Sequence, residues 1–157
     1  MRRVAVIGCG GAGKTTLARK IGAALDLTVI HSDFYRPGWE EAHPLLIDGD
    51  AWVIDAMRLG TLEERLARAD TVVFVDRSAL ACVWGIFRRR LRYRGGVHED
   101  GVADFVNIDF LRWVVSFRRR VRPRIEELLS QHRATTRVVV LRSARQANAF
   151  VDSVARF

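Results

Sequence analysis

The sequence GCGGAGKT occupies residues 8–15 and follows directly on the apolar run VAVI at residues 4–7. It fits the pattern G-x-x-x-x-G-K-[ST], in which a glycine-rich turn joins a strand to a helix and cradles phosphate groups. Glycine permits the turns that aim successive backbone N–H groups inward, and the positive end of the following helix favours an anion at the same point. Residues 16–21 (TLARKI) continue in a pattern typical of a helix. The segment therefore predicts a nucleotide-binding loop.

Two side chains of this loop have expected roles of their own. Lys14 is expected to reach the β- and γ-phosphates, and the Thr15 hydroxyl is expected to hold Mg²⁺. Lys14 is one of two lysines in an arginine-rich chain, and it stands where the pattern requires a compact ammonium group. The residues expected to contact the nucleotide phosphates are Gly8, Gly10, Gly11, Ala12, Gly13, Lys14, Thr15 and Thr16.

Length and composition indicate one domain with a full hydrophobic core. The chain has 157 residues, 49% of them hydrophobic, which suffices for one core and is too short for two ordinary domains. No segment approaches the roughly 20 apolar residues that span a bilayer. The apolar run that follows Arg2 and Arg3 is about four residues long, whereas an export signal needs roughly seven to fifteen. We therefore expect a cytoplasmic protein without a membrane partner.

The net charge of +8 comes almost entirely from arginine. Guanidinium groups bind phosphate oxygens through paired hydrogen bonds, and a basic surface also attracts nucleic acid. A solvated basic face without a specific ligand has the same composition. Binding to nucleic acid is thus one open interpretation, although no DNA-reading motif accompanies the charge.

Short apolar runs alternate with helical patterns along the chain. The runs lie at residues 3–7, 28–30, 51–54, 72–75 and 137–141. This alternation is typical of a parallel sheet covered by helices on both faces, the three-layer α/β/α architecture. Pro123 is expected to kink or break the helix that surrounds it. One helical stripe is interpreted as core and consists of Leu80, Val83, Trp84, Phe87 and Leu91.

Two segments lack periodicity and are longer than ordinary connections, at residues 33–50 and 94–107. Long loops of this kind tend to be binding segments or lids. We interpret the first as a flap that binds a phosphate acceptor and the second as a lid that closes over the site.

Three aspartates follow apolar runs, namely Asp33, Asp55 and Asp76. In open α/β sheets the ligand crevice lies beyond the carboxyl ends of the strands, so all three are candidates for the site. Asp55 is the first choice for the metal, and Asp33 suits a base or a residue that orients the acceptor. Capping of the next helix is the alternative for each, and it is favoured for Asp76.

Arginines that flank the expected lid, within residues 88–94, and arginines that precede the last strand, within residues 118–124, are candidates for stabilising the charge that phosphoryl transfer spreads over the phosphate oxygens. A solvated basic helix face explains any single one of them equally well. The candidate catalytic arginines are Arg88, Arg92, Arg118 and Arg122.

These residues together resemble the DNA topology modulation proteins, which are grouped with the adenylate-kinase-like P-loop kinases. The resemblance covers nearly the whole chain. Its motifs are residues 8–15, HSD at 31–33, PGW at 37–39, WVID at 52–55, RL at 65–66, ADT at 69–71, Cys82, YRG at 93–95, FLRW at 110–113, RP at 122–123 and LRS at 141–143.

The resemblance implies a five-stranded parallel sheet in a single domain over residues 1–157, with ATP at the phosphate loop. It implies that Thr15 and Asp55 hold Mg²⁺, that the lid carries arginines, and that the loop near Arg142 lies beside the adenine.

The chain departs from the family pattern at three places. Residues 55–58 read DAMR where the family has Asp-Gly-Asn-Tyr, Gly85 replaces an arginine, and residues 98–100 read HED where the family has Arg-Pro-Asp. Two basic groups near the transferring phosphate are therefore absent from their usual positions. The neighbouring residues that could replace them are Arg88, Arg89 and Arg92.

The sequence predicts an ATP-dependent kinase that moves the γ-phosphate of ATP to a small acceptor, such as a nucleoside or nucleotide. The alternative is a nucleotide-binding, DNA-associated module or NTPase switch with weak or no kinase activity.

Overall fold

In the computed structural model, which describes residues 1–35, 38–93 and 106–156, five strands form one parallel sheet. The strands are β1 (Arg3–Gly8), β2 (Val29–His31), β3 (Trp52–Asp55), β4 (Thr71–Val75) and β5 (Arg137–Leu141). Their order is β2-β3-β1-β4-β5, and every neighbouring pair is parallel. The predicted sheet is thus confirmed, with the phosphate-loop strand β1 at its centre.

Helices cover both faces of the sheet, as the predicted three-layer architecture requires. They are α1 (Lys14–Leu25), α2 (Trp39–Ile47), α3 (Leu62–Arg68), α4 (Ala79–Tyr93), α5 (Ile108–Arg120), α6 (Arg122–His132) and α7 (Ala144–Val154). Helix α1 packs on α7 and on β1 to β3, whereas α3 packs on α6, and α5 lies between α4 and α6. Among the helices that the structure describes, none combines the length and apolar character needed to cross a bilayer.

The central strands are buried on both faces, which explains why they appear in the sequence as continuous apolar runs. All five residues of β4 are buried, and so are Val4 to Gly8 of β1. The predicted break at Pro123 is also confirmed, because α5 ends at Arg120 and α6 begins at Arg122 with the proline in its first turn.

The predicted core stripe of α4 is wrong. Four of its members are exposed, namely Leu80, Trp84, Phe87 and Leu91, while the helix buries Cys82 and Ile86. The reason lies in Gly85, where an added Cβ would collide with the carbonyl oxygen of Gly11 in the phosphate loop. Helix α4 approaches that loop through its small residues, and this orientation turns the large apolar side chains outward.

The predicted flap at residues 33–50 contains regular structure. It holds a 3-10 turn at Ser32–Tyr35 and helix α2, whose Trp39, His43 and Ile47 are buried at helical spacing. Pro44 lies inside α2, and the buried histidine interrupts the apolar pattern, so this helix was missed. Trp39 is fully enclosed and therefore packs the flap. Of the predicted lid, residues 94–105 lie outside the described residues, and Asn107 caps α5 by accepting from the Phe110 N–H at 2.8 Å.

Candidate active site

The loop after β1 curls back to the N-terminus of α1, as its glycines allow. Gly11 and Gly13 have φ angles of 75° and 93°, in the left-handed region that favours glycine. A Cβ at Gly11 would collide with the Cys82 carbonyl, whereas one at Gly13 would meet nothing within 4 Å. One side of the loop is thus packed against α4, and the side at Gly13, the N-cap of α1, is open to a ligand.

Three side chains converge below this loop. The Thr15 hydroxyl donates to the Asp55 carboxylate at 2.7 Å, and His31 Nδ1 lies 3.1 Å from the same Asp55 oxygen, Oδ2. Lys14 Nζ donates to the backbone carbonyl of Cys9 at 3.0 Å, so its ammonium lies folded over the loop. The carboxyl ends of β1, β2 and β3 therefore bring Lys14 and Thr15 of the predicted motif together with Asp55, the first choice for the metal ligand.

Asp55 is held in its ionised form. Burial alone would raise its pKa, but the hydrogen bond from His31, the charge of Lys14 and the Thr15 hydroxyl outweigh burial, so the pKa lies below its ordinary value. A buried carboxylate beside a hydroxyl offers two oxygen ligands of the kind that Mg²⁺ prefers. No cluster of three or more metal-binding side chains occurs in the described part of the chain. The residues present fit Mg²⁺, which usually takes one or two protein oxygens together with phosphates and water.

A cavity of about 1210 Å³ opens above these residues at the carboxyl ends of the strands. Its lining includes most of the predicted site, namely Gly10, Gly11, Ala12, Gly13, Lys14, Thr15, Thr16, Asp33, Asp55, Arg88 and Arg92. Because β2 and β5 are the two edge strands of the sheet, one end of the cavity lies near β2 and β3 and the other lies near β5. Asp33 and Arg58 lie at the end of β2 and β3, and Ser143 and Asn148 lie beside β5.

Four predicted residues do not belong to this lining, namely Gly8, Arg118, Arg122 and Arg142. The three arginines instead surround Asp76, whose Oδ2 lies 3.2 Å from Arg122 Nε, 3.7 Å from Arg142 Nε and 3.8 Å from Arg118 Nη2. The Asp76 side chain is only 1% exposed, and a buried carboxylate requires such partners. Asp76 was expected to cap a helix, and this charge cluster was missed because its members come from distant parts of the chain.

A second buried charge lies beneath the flap. Arg65 is fully enclosed and donates to the carbonyl of Ala56 at 3.2 Å and to the Thr61 hydroxyl at 3.4 Å. Burial lowers its pKa to about 10, while the charge of Asp55 acts in the opposite direction, so the guanidinium stays protonated at neutral pH. Arg65 thus anchors the residue that directly follows Asp55. Its neighbours in the sequence, Glu64 and Leu66, are those of an ordinary amphipathic helix and gave no sign of this role.

Aromatic side chains that the sequence did not mark as functional also line the cavity. Phe110 and Trp113 of α5 stack with ring centroids 6.0 Å apart, and Trp84 of α4 is 59% exposed. A Cβ at Gly10 would lie 2.6 Å from Phe110 Cζ, so this ring rests on the phosphate loop. The FLRW motif could have indicated these two rings.

Two cysteines lie where the loop meets α4. Cys9 and Cys82 are both buried, unpaired thiols. A hydrogen bond with Cys82 and then burial raise the pKa of the Cys9 thiol above its usual range. The Cys9 thiol also faces the Val114 carbonyl at 3.8 Å.

Residues 3–86, more than half of the chain, match the AAA domain family. The chain belongs to this family. The match includes the phosphate loop and Asp55, and it assigns this AAA domain protein to the P-loop NTPase superfamily. No curated protein matches the sequence.

Solved kinases share the fold. A shikimate kinase from Acinetobacter baumannii in complex with shikimate is 16% identical, with a TM-score of 0.59 over 99% of this chain and 92% of that chain. A gluconokinase from Sinorhizobium meliloti 1021 is 17% identical, with a TM-score of 0.59 over 99% and 94%. A deoxyadenosine kinase from M. mycoides with bound dATP is 12% identical, with a TM-score of 0.51 over 96% and 98%. At these identities the similarity shows the fold alone, which this chain shares with these kinases.

Proposed function

We propose that this protein is an ATP-dependent phosphotransferase that moves the γ-phosphate of ATP to a small acceptor. The observation that carries the proposal is the contact of the Thr15 hydroxyl with the ionised Asp55 carboxylate, at 2.7 Å, below an open glycine loop. That pair and the Lys14 ammonium are the groups that P-loop enzymes use to hold a magnesium nucleotide. The finer resemblance to the DNA topology modulation proteins is part of this proposal.

In the proposed mechanism the backbone N–H groups of residues 10–16 bind the phosphates. Lys14 exchanges its contact with the Cys9 carbonyl for phosphate oxygens, and Thr15 and Asp55 hold Mg²⁺. Mg²⁺, when bound, neutralises phosphate charge. His31 keeps the Asp55 carboxylate oriented through its contact at 3.1 Å.

The size of the cavity supports a second ligand beside the nucleotide. Pockets for one small molecule usually measure about 300–1,000 Å³, and this cavity is larger, at about 1210 Å³. We assign the β5 end, at Ser143 and Asn148, to the nucleoside and the β2–β3 end to the acceptor. Of the described residues in the predicted flap, Asp33 lines the cavity at the acceptor end.

Asp33 is the proposed base, since it lines the acceptor end and its side chain faces solvent. The acceptor hydroxyl oxygen bonds to the γ-phosphorus while the bond from that phosphorus to the β–γ bridging oxygen breaks. ADP leaves, and the hydroxyl proton passes to the Asp33 carboxylate. Arg88 and Arg92, which also line the cavity, stabilise the charge on the transferring group.

A transfer assay with γ-labelled ATP tests this function against a panel of nucleosides, nucleotides, sugars and sugar acids. We expect label in one acceptor class for the wild type, and loss of both transfer and ATP binding for Lys14→Ala. Arg90→Met, an exposed change outside the cavity lining, serves as the matched control. Steady release of labelled phosphate without any labelled acceptor would replace the kinase with an NTPase switch.

A further inference from the structure

Arg58 lies three residues after Asp55, the last residue of β3. It lines the cavity at the end assigned to the acceptor, and its side chain is 26% exposed. Its Nε is buried, and among the described residues no group accepts a hydrogen bond from that atom. A guanidinium carries five N–H donors, so Arg58, which lines the cavity, can donate to an anion there in addition to its contact with Glu40.

The ion pair that Arg58 forms with Glu40 is a weak one. Glu40, in the first turn of α2, has its Oε1 3.5 Å from Arg58 Nη1, and its own side chain is 69% exposed. An exposed ion pair at that separation contributes little and exchanges readily with another anion. Glu40 therefore pairs with Arg58 only weakly, and an anion that enters the cavity can replace it.

The surrounding charges also favour an anion. Arg88 of α4 lines the same cavity, and Arg65 lies buried behind Ala56, two residues before Arg58. The nucleotide phosphates are assigned to the loop after β1, which is separated from the end of β2 by β3. Arg58 thus stands on the side of the cavity away from β4 and β5, where the acceptor is expected.

We propose that Arg58 forms an oxyanion subsite in the acceptor end of the cavity. The acceptor then carries a phosphate or carboxylate group besides the hydroxyl that receives the γ-phosphate. Glu40 is the internal substitute for that anion when the site is empty. That the anion belongs to the acceptor rests on the proposed function, whereas anion binding by Arg58 is measured separately.

The subsite is tested by calorimetry on protein saturated with magnesium and the non-hydrolysable analogue AMP-PNP, so that the phosphate loop is filled. Inorganic phosphate and, in a separate arm, acetate are titrated into wild type, Arg58→Met, Arg58→Lys and Glu40→Gln. We expect Arg58→Met to weaken phosphate binding about tenfold or more, because a charge-assisted hydrogen bond is lost. Arg58→Lys should retain part of the affinity, since its ammonium keeps the charge without the fork. Glu40→Gln should bind about two- to fivefold more tightly.

The two arms and a control separate the outcomes. Preference for phosphate or for acetate assigns the anion class, and Arg90→Met should bind like the wild type. Unchanged binding in Arg58→Met, with circular dichroism and melting like the wild type, would overturn the subsite, as would a wild type that binds neither anion.

A transfer assay then distinguishes this inference from the proposed function. With adenosine paired against AMP, and glucose against gluconate, the anionic member of a pair should be labelled. Arg58→Met should raise KM for that acceptor about tenfold or more while kcat changes little, because the residue binds away from the reacting atoms. Transfer to neutral and anionic members alike, with no effect of Arg58→Met, sinks the subsite and leaves the kinase intact. Arg58-dependent phosphate binding without any transfer sinks the kinase and leaves the subsite.

Discussion

The contact between α4 and the phosphate loop makes a sharp prediction for Gly85→Ala. A Cβ at Gly85 would collide with the Gly11 carbonyl oxygen and would lie 3.1 Å from the Gly11 carbonyl carbon. Both partners are backbone atoms, so relief requires the helix or the loop to move by about 1 Å toward ordinary van der Waals separation. Overpacking of this kind costs about 1–3 kcal/mol of the free energy of unfolding.

For a chain of this size, 1 kcal/mol corresponds to about 2–4 °C in Tm, so Gly85→Ala should melt about 2–12 °C below the wild type. Since Gly11 belongs to the loop, affinity for the magnesium complex of AMP-PNP should fall as well. Gly60→Ala is the matched control, because a Cβ there meets nothing within 4 Å. Calorimetric melting and titration measure both quantities. If Gly85→Ala melts and binds like Gly60→Ala, the packing described for α4 and the loop is wrong.

Three further substitutions test the charged groups. Asp55→Asn removes the ionised oxygen beside Thr15, and we expect kcat/KM to fall about 100-fold or more at fixed Mg²⁺, as measured with labelled ATP. Burial raises the pKa of Asp70, but the Arg2 and Arg3 N–H groups, at 2.6 and 2.9 Å, outweigh burial and lower it. The Asp70 carboxylate therefore stabilises the folded protein above its unfolded pKa of about 4, and this stabilisation is lost as the pH falls through the lower folded pKa. In urea unfolding, Asp70→Asn should have a lower free energy of unfolding than the wild type at pH 7, and the two should be equal near pH 2. Asp76→Asn removes the buried carboxylate that Arg118, Arg122 and Arg142 share. Because Arg122 keeps Glu126 at 2.8 Å and the other two arginines are exposed, the free energy of unfolding should fall by about 1–3 kcal/mol, and a melting temperature unchanged in low salt would contradict the cluster.

The phosphate loop and the sheet were predictable from local sequence. Their glycine spacing and continuous β-branched runs follow directly from backbone turns and from burial on both faces. The pair formed by Thr15 and Asp55 was predictable for a related reason, since parallel strands bring their carboxyl ends to one edge.

Other features depend on contacts between distant segments, and periodicity does not encode them. The stripe that contains Trp84 and Phe87 has helical spacing, but the close approach at Gly85 decides which face of α4 is buried. The same limit applies to Asp76, whose partners Arg122 and Arg142 lie far along the chain. Helix α2 was missed because a proline and a buried histidine stand within its pattern.

The buried thiols of Cys9 and Cys82 can be used as built-in probes of phosphate-loop motion. These are the two cysteines of the chain, and both lie at the seam between the loop and α4. Iodoacetamide reaches a sulfur atom there only when the phosphate loop and α4 move apart, so the labelling rate measures how often they do so. Comparing that rate with and without nucleotide gives the free energy by which a bound ligand closes the seam, with no dye or engineered residue.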